Sequence, residues 1–220
     1  MLLYKFRAIS GESFRFTQDI FINRRLYLPT AMQLNDPNEG VAVVDIQNAY
    51  RAWGNQLEER NRRNSTRICS LTEQYRSSVV WAHYADQHKG ICIEIDSAEI
   101  NTGCGILMPV QYTKNVPILG HNTADDVRRA FLNKTNEWGY EQEWRYVTSE
   151  QPPSLLFTES AITRVMLGAR FNSSDIPVIE YWLRQYAPTR SIPIVAMKFA
   201  STDYSLYEEG EMQGKIERIG

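Results

Sequence analysis

The sequence predicts an α+β fold in which mixed, mainly antiparallel sheets are flanked by helices. Short runs rich in Ile, Val and aromatic residues alternate irregularly with amphipathic segments, and the regular βαβ alternation of a parallel sheet is missing. Hydrophobic residues make up 43% of the 220 positions, which is enough for a sizeable core. The break at residues 149–154 is too short to separate two domains, so we expect a single domain over residues 1–220.

The elements follow from local patterns. Strands are predicted where β-branched and aromatic residues run between turn signals, at residues 2–8, 25–28, 67–71, 90–95, 106–112, 141–148, 163–167 and 192–199. Helices are predicted where apolar residues recur at helical spacing, at residues 18–25, 45–64, 77–85, 124–138 and 175–186. Thr17 and Ser174 are the expected N-caps of the first and last helices. The last helix is expected to bury Ile179, Trp182, Leu183 and Tyr186.

Charge and cysteine content narrow the function classes. A formal charge of −2 gives no global attraction to nucleic acid or to an anionic membrane. Cys69, Cys92 and Cys104 form no CxxC pair, which indicates reduced and buried thiols of a cytoplasmic protein. The amino terminus lacks the apolar run of a signal peptide, and no apolar run is long enough to span a membrane. The three histidines are too scattered for a metal site, so no metal is expected.

The most informative motif is residues 140–145, which read YEQEWR. If this run is a strand, Glu141, Glu143 and Arg145 share one face while aromatic residues line the other. Two carboxylates on one strand face suit a cleft, since like charges repel unless a partner or a task maintains them. The alternative interpretation is a solvated strand face on which Arg145 pairs with Glu143.

Four other stretches contain residues suited to binding or catalysis. Arg7 ends the first strand and has the fork of donors that grips a phosphate or carboxylate. The turn at residues 34–40 carries two acids that suit either a hard cation or a structural turn. Ser70 and Thr72 place two hydroxyls on one side of a strand. His83 and Tyr84, on a short helix, suit either ring stacking or core packing.

Taken together, these stretches resemble an uncharacterised bacterial family known as domain of unknown function 2971. The matching pieces are residues 4–7 (YKFR), 34–37 (LNDP), 81–86 (WAHYAD), 89–94 (KGICIE), 140–145 (YEQEWR) and 165–168 (VMLG). They span most of the chain in order. That family carries no known activity, so a second and looser resemblance supplies the functional hypothesis.

The order of motifs is similar to that of ADP-ribosyltransferases of the Arg/Ser-Thr-Ser/Glu type. These enzymes carry an Arg on the first strand, a Ser-x-Ser or Ser-x-Thr on a middle strand and a Glu-x-Glu near a late strand. Arg7, then Ser70 and Thr72, then Glu141 and Glu143 follow the same order, although the middle motif ends in Leu-Thr rather than Thr-Ser.

The resemblance implies an NAD-dependent transferase that moves ADP-ribose to a macromolecule and acts as a toxin or phage-defence effector without a metal. Glu143 would stabilise the cationic ribose, and Glu141 would orient or deprotonate the acceptor. Arg7 would bind the pyrophosphate of NAD. The remaining contacts with NAD are assigned to Ser70, Thr72, His83 and Tyr84.

Two other function classes remain open from the sequence. The first is a binding or defence module without transferase activity, in which the Glu/Arg strand is an ion-paired scaffold. The second is a magnesium-dependent nucleic-acid enzyme that uses Asp36, Glu39, Glu141 and Glu143 as ligands. The acceptor of a transferase is equally open between a protein side chain, a nucleic-acid base and a small molecule.

Overall fold

The computed structural model describes residues 1–44, 60–103, 105–119, 124–149 and 154–209. Its strands are β1 (Leu2–Arg7), β2 (Arg25–Tyr27), β3 (Val43–Val44), β4 (Arg67–Thr72), β5 (Ile91–Asp96), β6 (Ile106–Pro109), β7 (Gln111–Thr113), β8 (Ile118–Leu119), β9 (Asn133–Thr135), β10 (Glu143–Thr148), β11 (Ser154–Leu156), β12 (Ile162–Leu167), β13 (Ile194–Phe199) and β14 (Leu206–Glu208). The longer helices are α1 (Ser13–Ile22), α2 (Ser78–Tyr84), α3 (Ala124–Phe131) and α4 (Ile176–Tyr186), and residues 60–65 are also helical.

The chain divides into two compact units built from interleaved segments. The first unit comprises Met1–Leu26, Thr72–Asn101 and Leu156–Gly220. The second comprises Tyr27–Leu71 and Thr102–Leu155. Each unit therefore draws on residues that are far apart in sequence.

The first unit is built on five strands in the order β14-β13-β12-β5-β1. Strand β1 pairs antiparallel with β5 along its whole length, and β5 pairs antiparallel with β12. Strands β12 and β13 are parallel, because α4 connects them as a crossover, and β14 returns antiparallel to β13. The predicted α+β class with mainly antiparallel pairing is thus confirmed.

Helices cover the sheet of the first unit. On α2, Trp81 packs edge-on against Phe6 of β1 with ring centroids 5.0 Å apart. Helices α1 and α4 pack on each other through aromatic rings, with Phe21 stacked on Trp182 at 5.7 Å. Helix α4 buries Ile179, Trp182, Leu183 and Tyr186, as the helical spacing predicted. Its cap differs from the prediction, since a short 3₁₀ turn capped by Asn172 precedes it.

The second unit contains three neighbouring strands in the order β4-β10-β6, with β10 and β6 antiparallel. Two short parallel pairs, β3 with β8 and β7 with β9, also lie in this unit. Its core is formed by Ala31, Ile68, Phe131 and Val147, against which Leu34, Ile106 and Leu132 pack. Of these core residues, Val147 lies on β10, the strand that carries Glu143 and Arg145, described below.

The first helix begins earlier than predicted. It spans Ser13–Ile22, so Thr17 lies inside the helix rather than at its N-cap. The Thr17 side chain is buried, and its hydroxyl donates to the carbonyl of Ala8 at 2.7 Å. A tertiary hydrogen bond therefore explains this threonine, which the sequence pattern had favoured as a cap.

The segment predicted as one helix over residues 124–138 contains three different elements. Helix α3 ends at Phe131, β9 pairs with β7, and a 3₁₀ helix runs over Asn136–Glu141. Residues 133–137 (NKTNE) carry no apolar side chain, and Lys134 is buried among carboxylates. The pairing of β9 with β7 and the ion pairs of Lys134 therefore replace the predicted helix after Phe131.

The predicted strand over residues 141–148 begins two residues late. Glu141 ends the 3₁₀ helix, Gln142 adopts a left-handed conformation with φ 44°, and β10 starts at Glu143. The strand predicted over 106–112 is divided into β6 and β7. Most of the helix predicted over 45–64 falls on residues 45–59, outside the described part of the chain.

The sequence predicted buried cysteines and no membrane-spanning segment. Cys69 and Cys92 are buried, as predicted, and Cys104 lies outside the described residues. Among the described residues, no helix combines the length and the apolar character needed to cross a bilayer.

Candidate functional site

Five charged side chains of the second unit converge in what we call the carboxylate cluster: Glu39, Lys134, Glu141, Glu143 and Arg145. All five are buried, and Arg145 has no exposed surface at all. Charged side chains are rarely buried this completely unless they are paired. The interpretation of residues 140–145 as a solvated strand face is therefore wrong.

Arg145 is the centre of the cluster because each of its five N–H groups meets an acceptor. Its Nε and Nη2 donate to the two carboxylate oxygens of Glu143 at 2.8 and 3.0 Å. Its two Nη atoms both donate to Glu39, and Nη1 also donates to the carbonyl of Phe131 at 2.8 Å. This planar fork fixes the directions of two carboxylates at once.

Lys134 joins the two acids of the Glu-x-Glu motif. Its Nζ lies 2.6 Å from Oε2 of Glu141 and 3.2 Å from Oε2 of Glu143, with Glu39 at 3.8 Å. The ring of Trp138 lies 4.5 Å from the ammonium, a cation–π contact. Glu141 and Glu143 therefore meet at one ammonium, although they do not share a strand face by alternation.

A tight turn brings Glu39 to the cluster. The Asp36 carboxylate accepts from the backbone N–H of Asn38 at 2.9 Å, which is the local bond expected of a turn acid. Gly40 follows with φ 70°, and a Cβ there would lie 2.1 Å from the Phe131 ring. The turn at residues 34–40 thus has a structural role in placing Glu39 against Arg145.

Glu143 has two further contacts at the start of β10. Its carboxylate accepts a hydrogen bond from the side chain of Ser70, on the neighbouring strand β4. Its backbone N–H donates to the hydroxyl of Tyr112 at 2.8 Å. Tyr112 is held beside Lys134 by the register of β7 with β9. Two residues that were assigned to one site from sequence, Ser70 and Glu143, are thus in contact.

The pairing sets the protonation of the cluster. Burial by itself raises the pKa of Glu143, but the charges of Arg145 and Lys134, with hydrogen bonds from Arg145 and Ser70, lower that pKa to about 2. Burial lowers the pKa of Lys134, but Glu143 and Glu141 outweigh it and raise that pKa. The pKa of Glu39 is raised, chiefly by burial and against the effect of Arg145. Glu143 is therefore a carboxylate, and Lys134 an ammonium, at neutral pH.

The other residues assigned to NAD binding lie in the first unit. The Nε of Arg7, at the end of β1, donates to Thr17 of α1 at 3.3 Å. Thr72 is buried, and its hydroxyl accepts from the backbone N–H of Gln74 at 2.8 Å. On α2, His83 is exposed and Tyr84 half-buried, with ring centroids 6.0 Å apart.

Strand alternation separates two of these residues. Thr72 pairs directly with Tyr4 of β1, so their side chains share a face. Arg7 is an odd number of residues from Tyr4, and its side chain therefore points to the opposite face, towards α1. Within the first unit, Arg7 and Thr72 do not converge on one surface.

The magnesium hypothesis requires carboxylate oxygens that already have partners. Glu39 and Glu143 are bound by Arg145, and Glu141 is bound by Lys134. Within the residues that the structure describes, no group of three or more His, Cys, Asp or Glu side chains is arranged to hold a metal ion. A divalent ion at this place would have to displace the ammonium or the guanidinium.

A comparison with protein families finds a match for part of the chain. Residues 80–146 match a family described as protein of unknown function (DUF2971). The matched segment is less than half of the chain, so the similarity to this family applies to residues 80–146. The match confirms the family resemblance seen in the sequence, and it carries no activity. No curated protein and no solved structure matches the chain significantly.

The DUF2971 match covers most of the carboxylate cluster. Lys134, Glu141, Glu143 and Arg145 fall within residues 80–146, whereas Glu39 and Ser70 lie outside them. Sequence patterns did not identify Lys134 or Tyr112 as members of the site. The single available signal for Lys134 was its position seven residues before Glu141, and that spacing is uninformative without the tertiary contacts.

Proposed function

We propose that this protein is an NAD-dependent ADP-ribosyltransferase in which Glu143 stabilises the cationic ribose. The observation that carries the proposal is the hydrogen bond between Ser70 and Glu143. It links the serine motif to the acidic motif, which the ADP-ribosyltransferase resemblance assigns to the same site. Both residues lie on strands, which hold a catalytic group more precisely than loops do.

The proposed reaction breaks the bond between C1′ of the ribose and the nicotinamide nitrogen of NAD. The bonding electron pair leaves with nicotinamide, which becomes neutral, and positive charge develops on the ribose, as in glycoside cleavage. A nucleophile of the acceptor then bonds to C1′, and its proton passes to Glu141. No electrons are exchanged with an oxidant or reductant, so NAD serves as a substrate.

The charge of the cluster supports this assignment. Three carboxylates face two cations, so the fully ionised cluster carries a formal charge of −1. With its pKa at about 2, Glu143 is ionised throughout the physiological range. A fixed negative charge beside a developing cation stabilises the transition state more than the ground state.

A non-catalytic binding module is the second candidate, and Arg145 is the observation that favours it. All five of its N–H groups are satisfied inside the cluster, and its bidentate bond to Glu143 offsets the negative charge that catalysis would use. Under this hypothesis, the cluster stabilises the second unit and performs no chemistry.

Two variants separate the candidates. Glu143→Gln and Glu39→Gln each remove one buried carboxylate bound to Arg145, so both are expected to lose about 3–5 kcal/mol of stability. Of these two residues, only Glu143 is assigned to the reaction. Nicotinamide release from NAD should therefore fall about 100-fold or more in Glu143→Gln, and stay close to wild type in Glu39→Gln, per folded molecule.

Nicotinamide release is measured by chromatography. A second assay follows the transfer of label from adenine-labelled NAD to protein or nucleic acid in a bacterial extract. The folded fraction of each variant is taken from circular dichroism at the assay temperature. If wild type releases no nicotinamide with or without extract, the transferase proposal is overturned in favour of the binding module. Equal rates in Glu143→Gln and wild type would overturn the role of Glu143.

A further inference from the structure

Lys134 is a buried cation whose position is fixed by strand pairing, ion pairs and an aromatic ring. The register of β7 with β9 places it opposite Tyr112, and its Nζ contacts Glu141 at 2.6 Å and Glu143 at 3.2 Å. The ring of Trp138, from the following 3₁₀ helix, covers the ammonium at 4.5 Å. A flexible side chain is thereby held in one place.

The link between the two acids of the motif runs through this ammonium. Arg145 bonds Glu39, Glu143 and the Phe131 carbonyl with all five of its N–H groups, and none of them is directed to Glu141. Glu141 lies on the 3₁₀ helix and Glu143 on β10, on either side of the left-handed Gln142. Without Lys134, two buried carboxylates would face each other across this bend.

We infer that Lys134 is a positioning residue for the proposed transfer, because its ammonium holds Glu141 at a fixed distance from Glu143. The inference rests on the proposed function. It places Glu141, the acceptor-side acid, and Glu143, the ribose-side acid, in contact with the same ammonium. Lys134 itself need not contact NAD or the acceptor.

The coupling predicts a specific change in the pH–rate profile. Loss of the ammonium removes one of the two charges that keep Glu143 ionised, so its pKa rises. A rise of about one pH unit or more is expected when a cation within hydrogen-bond distance is lost. The acid limb of the profile of kcat should therefore move to higher pH in a charge-removing variant.

The experiment compares wild type with Lys134→Met, Lys134→Gln and Lys134→Ala. The glutamine variant keeps hydrogen-bond donors without charge and serves if the methionine variant does not fold. Nicotinamide release is measured from about pH 3 to 8.5, so that the range reaches the raised pKa expected for Glu143 in the variants, and the folded fraction is determined at each pH. Propylammonium, which replaces the missing end of the side chain, is added to Lys134→Ala, with tetramethylammonium as the control for ionic strength.

The expected result is a kcat at least about tenfold lower at pH 6, because Glu141 is no longer held in place. The acid limb should also shift upward, and propylammonium alone should restore part of the activity. If wild type is active and the charge-removing variants keep its kcat and its acid limb, the inference is overturned and the proposed function stands. If the wild type releases no nicotinamide, the proposed function fails and the inference fails with it.

Discussion

At the scale of single residues, Arg145 fixes the geometry of the carboxylate cluster, because it binds both Glu39 and Glu143. The sequence placed Arg145 beside Glu143, and the structure confirms that pair at 2.8 Å. Its second partner, Glu39, was recognised only as part of a turn that suits a hard cation. Adjacent pairs can be predicted from strand alternation, whereas a partner 106 residues away depends on the whole fold.

His88 provides a residue-scale prediction. It is 7% exposed, and it lies in a run of three left-handed residues, Asp86, Gln87 and His88, with φ between 46° and 69°. Burial and the charge of Arg170 lower its pKa, so the neutral ring is favoured in the folded state. The unfolded chain then binds more protons near pH 6.5, and stability is lost as the pH falls from that value through the lower folded pKa.

The measurement is the free energy of unfolding in urea at pH 7.5 and pH 5.5. Replacement by asparagine, which tolerates a left-handed backbone, removes the titration. His88→Asn should therefore show a smaller loss of stability on acidification than wild type. His83→Asn, on the exposed face of α2, is the control and should behave as wild type does. Identical pH dependence in all three proteins would contradict the role of His88.

At the scale of elements, local patterns predicted α2, α4 and most long strands because those segments obey one periodicity. They failed over residues 132–141, where β9 and a 3₁₀ helix follow α3 instead of a continued helix. The buried position of Lys134 is fixed by Glu141 and Glu143, seven and nine residues later, and by the distant Glu39, and neither helical nor strand periodicity encodes these contacts.

The turn at residues 34–40 permits a test with an internal control. Gly40 and Gly11 both have positive φ, at 70° and 55°, but a Cβ at Gly11 meets nothing within 4 Å. Gly11→Ala should therefore cost about 1–2 kcal/mol from backbone strain alone. Gly40→Ala should cost about 1–3 kcal/mol more, because the new methyl group overlaps the Phe131 ring. Urea unfolding of both variants measures the difference, and equal losses would show that Phe131 moves away freely.

At the scale of the whole molecule, the α+β class was predictable and the interleaving of two compact units was not. Composition and periodicity report how much core a chain can bury and which elements it forms. They do not report that Tyr27–Leu71 packs with Thr102–Leu155, because such grouping depends on contacts between distant segments. The DUF2971 match spans parts of both units.

Ligand-induced stabilisation tests the function of the intact chain. If NAD binds the folded protein, a concentration of about 100 times its Kd should stabilise the chain by roughly 2.7 kcal/mol and raise Tm. Under the transferase proposal, NAD raises Tm and Mg²⁺ does not. A shift with Mg²⁺ alone would favour the nucleic-acid enzyme, and no shift with either would favour the binding module. Thermal melts with each ligand, and with both together, provide the comparison.

The pairing of Glu39 with Arg145 also has a consequence for the order of synthesis. The two residues are separated by 106 positions, so Glu39 leaves the ribosome long before its partner exists. Until then its carboxylate lacks the guanidinium that binds it in the folded protein. Contacts of such large sequence separation form slowly. The Glu39–Arg145 pair is therefore expected to become buried during translation only once residue 145 has emerged.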